Sequence, residues 1–229
     1  MKAGTVVIYF NKQEALRYFG AGRDDARAGA AVDLAFLKLR NELQPKYTAR
    51  RFACQVTTTG VLVRIGAAAG ENIFFSSRNL ARHLAGCREL FLFAATLGIK
   101  VDIALRRLTL ESAATGAAAQ AVAAALIETY CDSCCTELEQ NLVPNLRLLS
   151  RFSPGYGDWD LAEQPKIFSL LDVQKIGLTL TDGCMMAPVK SVTAVIGICA
   201  GTKANLGEKS AKDGAKCAGC KNTNCEFRR

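Results

Sequence analysis

Arg151-Phe152-Ser153-Pro154-Gly155-Tyr156-Gly157-Asp158 puts a cation, a Pro-Gly turn, an aromatic hydroxyl and a carboxylate within eight residues. Pro154 presets φ at about −65°, and Gly155 tolerates the positive φ that a type II turn requires at its next position. Such a turn presents backbone amides without side-chain cover. Arg151 offers a planar fork suited to a carboxylate, and Tyr156 adds a ring face and a hydroxyl. The combination suits a small zwitterionic ligand that carries a flat ring. The same residues are also consistent with an ordinary loop holding an exposed Arg and a core Tyr. Asp158 and Asp160 flank Trp159, and acids after a turn are usually solvated, although one could bind a ligand amine.

A second chemistry-bearing pattern lies at the C-terminal end, Cys217-x-x-Cys220-x4-Cys225. A two-residue gap lets two thiolates face one ion from a tight turn, and a third follows within reach. Three ligands leave a tetrahedron incomplete. Cys184, in the loop Thr181-Asp182-Gly183-Cys184, is our choice for the fourth, with Cys199 or one of Cys131, Cys134 and Cys135 as alternatives. Zinc and an iron–sulfur cluster both take thiolates, so the spacing admits either; free thiols on an unstructured tail are the competing reading. Cys131-x-x-Cys134-Cys135 falls on a predicted helix, where inward thiols behave as small hydrophobes. His83 is the single histidine and reads as a surface or hydrogen-bonded residue rather than a ligand or base. No Ser–His–Asp set, phosphate loop or acid–base pair stands out, so the chain does not read as a self-contained enzyme.

The span from Arg151 to Ile198 resembles the C-terminal activation domain of cobalamin-dependent methionine synthase. The likeness is carried by Arg151-x-x-x-Gly155-Tyr156 and Leu170-Leu171-Asp172-Val173-Gln174-Lys175. It continues through Gly177-Leu178-Thr179-Leu180-Thr181, Met186-Ala187-Pro188 and Ser191-Val192-Thr193. Glu14-Ala15-Leu16-Arg17-Tyr18-Phe19-Gly20 is similar to the opening of stand-alone versions of that domain. The resemblance implies a protein that binds S-adenosylmethionine through Arg151, Gly155 and Tyr156, with Ser153 and Pro154 shaping the turn. It also implies a partner, a cobalamin-dependent methionine synthase core or other corrinoid protein, whose cob(II)alamin is reduced by a donor such as a flavodoxin or ferredoxin and then remethylated. The family's domain continues into a strand with a further ligand-contacting tyrosine, whereas no tyrosine follows Tyr156 here.

These residues need a scaffold, and the sequence predicts an α+β one: a mixed, mainly antiparallel sheet flanked by helices, without a regular βαβ rhythm. The expected elements begin with a strand over Val6–Phe10, a helix from Lys12 to Phe19 ending at Gly20, and a helix from Asp24 to Leu43 closed by Pro45. A hairpin follows between Ala53 and Ile65 around Thr57–Gly60, then a helix capped by Ser77 running to Leu84. Leu90–Ala95 reads as a buried strand leading through Gly98 into a helical turn with Asp102. A long Ala-rich helix spans Ser112–Leu142, and another runs over Leu161–Leu171 with Pro165 in its first turn. Strands follow at Leu178–Leu180 and Ser191–Cys199.

The chain has 229 residues, half of them apolar, 22% charged, ten cysteines and a formal net charge of +8. That length suits one large domain, expected over residues 1–202, with a basic, cysteine-rich appendage at 203–229. From Lys203 onward seven basic and three acidic residues leave a net +4 on the appendage. No apolar run suffices for a membrane span and no signal-peptide core is visible, so a cytoplasmic address and reduced or metal-bound thiols are expected. A second reading, a basic metal-binding module contacting nucleic acid or protein, is disfavoured by a tail whose one aromatic residue is Phe227.

Overall fold

Local signals set most element boundaries. A computed structural model describes residues 6–66 and 72–201; the appendage at 203–229, with Cys217, Cys220, Cys225 and Phe227, lies outside them. Helix α1 (Lys12–Phe19) starts where the Asn11 side chain accepts the Glu14 N–H at 3.1 Å, and stops at Gly20, whose φ is +78°. Helix α2 (Ala26–Leu39) is capped by Asp25, which accepts from the Ala28 N–H at 2.9 Å, so it begins two residues later than expected. A 3₁₀ turn over Arg40–Glu42 replaces its predicted last turn, because Pro45 steers Gln44 away from the α region.

The expected strand over Val6–Phe10 is irregular chain. Phe10 instead lies face to face with Phe36 of α2, ring centroids 4.2 Å apart, and stacking on a helix supplies no ladder partner.

Strands β1 (Lys46–Val56) and β2 (Gly60–Arg64) form the predicted antiparallel hairpin, with Val56 opposite Val61. Strand β3 (Asn72–Ser76), absent from the sequence reading, adds to β2 with Phe75 opposite Val61. Ser77 caps α3 (Arg78–His83), accepting the Leu80 N–H at 2.9 Å. The run read as a buried strand is β4 (Glu89–Thr96), wholly buried from Leu90 onward.

Two helices, α4 (Ile99–Glu111) and α5 (Ala113–Gln140), follow. Ser112 separates them with extended backbone, its hydroxyl oxygen accepting the Thr115 N–H at 3.0 Å. After β5 (Leu146–Leu148), the predicted helix over Leu161–Leu171 divides into a 3₁₀ turn at Leu161–Glu163 and α6 (Gln164–Leu170). The hairpin β6 (Thr179–Leu180) with β7 (Met186–Ala187) precedes β8 (Ser191–Ala200).

The main sheet runs β3-β2-β1-β4-β8-β5, with antiparallel pairing in β1–β2, β2–β3 and β5–β8. This is the expected α+β class. The residues divide into two compact units. The first comprises Met1–Ala49, Phe93–Leu138 and Ile167–Thr193, and its core includes Leu16, Val32, Leu39, Leu97, Leu108 and Leu126. The second comprises, of the described residues, those within 50–92, 139–166 and 194–201, with Phe75, Leu80, Leu84, Trp159 and Ile196 among its buried residues. Among the described residues, no helix is long and apolar enough to cross a membrane.

Small residues on α5 serve close packing. A methyl group on Gly116 would stand 2.7 Å from the Thr109 Cα and 2.6 Å from its Oγ1. Alanine gains about 1 kcal/mol over glycine in an open helix, but here the overlap is with backbone and wins. Gly116→Ala is expected to destabilise the protein by about 1–3 kcal/mol; a urea midpoint equal to or above wild type would contradict this packing.

Candidate functional site

The residues singled out at Arg151–Asp158 belong to the second unit, on the chain leaving β5. Leu149 donates its N–H to the Gly197 carbonyl at 2.9 Å, and Phe152 exchanges hydrogen bonds with Val195 at 2.9 and 2.8 Å. Both partners lie on β8, which therefore fixes the segment on either side of Arg151. From the other side comes α3: His83 Nε2 lies 2.8 Å from the Ser150 carbonyl, which only accepts, so Nε2 carries the proton. The His83 ring also packs on Phe152, centroids 5.3 Å apart. The lone histidine is a half-buried strut, as its sequence context indicated.

The turn itself has the expected form. Gly155 has φ +90°, and Tyr156 donates its N–H to the Ser153 carbonyl at 3.3 Å, the pairing of a type II turn. Pro154 is buried, Arg151 and Ser153 are half-buried, and Tyr156 is 67% exposed at the tip. One expectation is corrected. The turn does not present free amides, because Gly155 N–H donates to Trp159 O at 2.7 Å and Trp159 N–H returns to Tyr156 O at 3.0 Å. The loop closes on itself, and satisfying its own donors costs less than leaving them open.

What holds this loop in place is Asp158. Its carboxylate accepts from Ser77 Oγ at 2.5 Å and from the Arg78 and Asn79 N–H groups at 3.0 Å each. Those amides are unpaired donors in the first turn of α3, where the helix dipole also favours an anion. The bond from Ser77, then the two amides, hold the Asp158 carboxyl below its usual range. Asp160 does similar work, accepting the Ala162 N–H at 2.9 Å. Both acids thus cap short helical segments while remaining exposed, as acids after a turn were expected to be. Between them Trp159 is buried, edge-on to Phe75 at 5.3 Å and stacked on Phe152 at 6.1 Å. No local pattern flags the Asp158 cap, whose partners lie 79 to 81 positions earlier.

The other sequence candidates are elsewhere. Cys184 sits in the first unit, half-exposed, at φ +59° in the tight loop between β6 and β7. Its proposed co-ligands Cys217, Cys220 and Cys225 lie outside the described residues. Among the described residues no group of three or more His, Cys, Asp or Glu side chains is placed to hold a metal. Cys131 and Cys134 are fully buried on α5, as the small-hydrophobe reading expects. Asp102, in the first turn of α4, accepts the Val189 N–H at 2.7 Å and so pins the segment after Pro188.

Comparison with known proteins supports the resemblance read from residue patterns. Residues 138–205, which include the turn, match the family described as vitamin B12 dependent methionine synthase, activation domain. The fold is that of a crystal structure of the MetH reactivation domain bound to AdoHcy. That likeness has a TM-score of 0.61 at 15% identity and covers 84% of this chain and 75% of that one. No curated protein matches the chain.

Because the folded-state pKa of Asp158 is lowered, its contribution is complete above the unfolded value of about 3.9 and is lost as pH falls through the folded value. Asp158→Asn is expected to cost about 1 kcal/mol at pH 7, the usual worth of a helix cap. The gap from wild type should close below pH 4. A gap that stays constant from pH 7 to pH 3 in denaturant titrations would count against the carboxylate's role.

Proposed function

We propose that this chain assists the reductive reactivation and remethylation of a cobalamin-dependent methionine synthase or related corrinoid methyltransferase, binding S-adenosylmethionine at the Arg151–Tyr156 turn. One observation carries the reading. The segment matching the activation-domain family contains a pre-formed turn with Arg151 at its root and an exposed Tyr156 ring at its tip.

The residues fit such a ligand. A side chain at Gly155 would meet only Leu161 Cδ1, at 3.8 Å, so the backbone there is open to close approach. Arg151 pairs with the amino-acid carboxylate through its planar fork, and the Tyr156 ring offers a face to the purine. The Gly155 and Tyr156 amides are used internally, so in this reading the contacts to the ligand are made by side chains. When bound, S-adenosylmethionine supplies the methyl group for a cobalt centre held by the partner protein, and a flavodoxin or ferredoxin supplies the electron. The chain's own part is to hold and orient the methyl donor. Its tail cysteines Cys217, Cys220 and Cys225, with Cys184, bind zinc or an iron–sulfur cluster in this reading.

Calorimetry with S-adenosylmethionine on wild type and Arg151→Ala tests the site. Losing a charge-assisted pair worth about 1.5–3 kcal/mol weakens binding roughly 10- to 100-fold; equal affinities would remove Arg151 from it. Adding the chain to a methionine synthase core loaded with cob(II)alamin, an electron donor and S-adenosylmethionine is expected to restore methylcobalamin. Recovery that is the same without the chain would end the proposal. Metal analysis of anaerobically purified protein should find bound zinc or iron, reduced in Cys220→Ser; metal-free wild type would dismiss the cysteine site.

A further inference from the structure

Three thiols converge in the interior of the second unit, away from the turn residues. Cys87 follows α3, Cys199 ends β8 and Cys54 lies on β1; all are at least nine-tenths buried. Cys87 Sγ and Cys199 Sγ are 2.6 Å apart, across 112 positions of chain. That is well inside the roughly 3.5–4 Å at which non-bonded heavy atoms rest, and about half an ångström outside the ~2.05 Å of a disulfide. Cys54 stands differently, its thiol directed at the Cys87 carbonyl at 3.9 Å.

The packing holds the pair in this arrangement. Gly197 and Cys199 share one face of β8, because side chains alternate along a strand. A methyl group on Gly197 would stand 2.8 Å from Cys87 Sγ and 2.7 Å from Leu84 Cδ2. The absent side chain is therefore the space that Cys87 occupies, and it aims the sulfur along β8 toward Cys199. Register supports the placement, since Cys199 is opposite Arg147 and Ile198 opposite Leu148 in the β5–β8 ladder.

We propose that Cys87 and Cys199 are the site of a reversible intramolecular disulfide. The oxidant is a small-molecule disulfide such as oxidised glutathione. One cysteine thiolate attacks it, releasing one glutathione thiolate and leaving a mixed disulfide. The second cysteine then displaces the other glutathione, forming the Sγ–Sγ bond. Two cysteine thiols are oxidised and one glutathione disulfide is reduced to two thiols, the two protons passing to the glutathione thiolates. Burial raises the Cys87 thiol and lifts that of Cys54 to about 11, so exchange is slow and quickens with rising pH. The bond ties the connection after α3 to β8, the two elements that hold the Leu149–Phe152 segment at the root of the turn. Its formation stiffens that support without touching the turn itself.

The test is peptide mapping of the full-length protein held in glutathione buffers of increasing oxidised fraction until peptide populations stop changing. Free thiols are then alkylated under denaturing conditions before digestion. The expected product is one peptide pair joined through Cys87 and Cys199, retained in Cys54→Ser, absent in Cys199→Ser and undone by dithiothreitol. Oxidised wild type should also melt higher than reduced, by roughly 5–15 °C for a loop this long, with no such rise in Cys199→Ser. Full alkylation of both residues at the most oxidising ratio, or a bond from either to Cys54 or to a tail cysteine instead, overturns the proposal. Should Cys199→Ser fail to fold, the wild-type peptide map decides alone.

Discussion

The three-pronged hydrogen bonding of the Asp158 carboxylate is the constraint on which the candidate site depends. A Pro-Gly turn on the surface would ordinarily sample several conformations, because ordering each residue costs about 1–2 kcal/mol. Here one carboxylate satisfies two unpaired amides and a hydroxyl at the start of α3, and in doing so fixes the loop's far end. The near end is fixed by β8 through Leu149 and Phe152. Trp159, next to Asp158, adds a buried anchor at the far end through its ring contacts with Phe75 and Phe152. A loop held at both ends in this way needs less ordering on binding, the general advantage of a pre-organised site.

The same accounting decides how the site can recognise anything. The Gly155, Tyr156 and Trp159 amides are engaged inside the loop and are therefore not offered to an anion. In the reading proposed above, the guanidinium of Arg151 takes the ligand's carboxylate.

Cysteine use follows local environment rather than one plan. On α5, Cys131 and Cys134 fill small gaps between helical neighbours. Around β8 the glycine at 197 opens the space that lets two sulfurs meet. Cys184 instead occupies a left-handed position in a tight hairpin, half-exposed.

Short-range physics made much of this protein legible from its residues. Asn11, Ser77 and Gly20 bound their helices because caps act within three or four positions, and the hairpin around Thr57–Gly60 follows from a polar break between apolar runs. The type II turn was readable too, since Pro154 and Gly155 restrict their own dihedral angles. Val6–Phe10 misled because strand propensity has no force without a partner edge, and Phe10 found Phe36 instead. Strand β3 was missed because its only warrant is pairing with β2. Asp158 and Asp160 are exposed, as acids after a turn usually are, but only folding brought Asp158 to amides some eighty residues away. The meeting of Cys87 with Cys199 has the same origin: composition and spacing act locally, whereas long-range hydrogen bonds and sulfur contacts exist only once the sheet has assembled its distant strands.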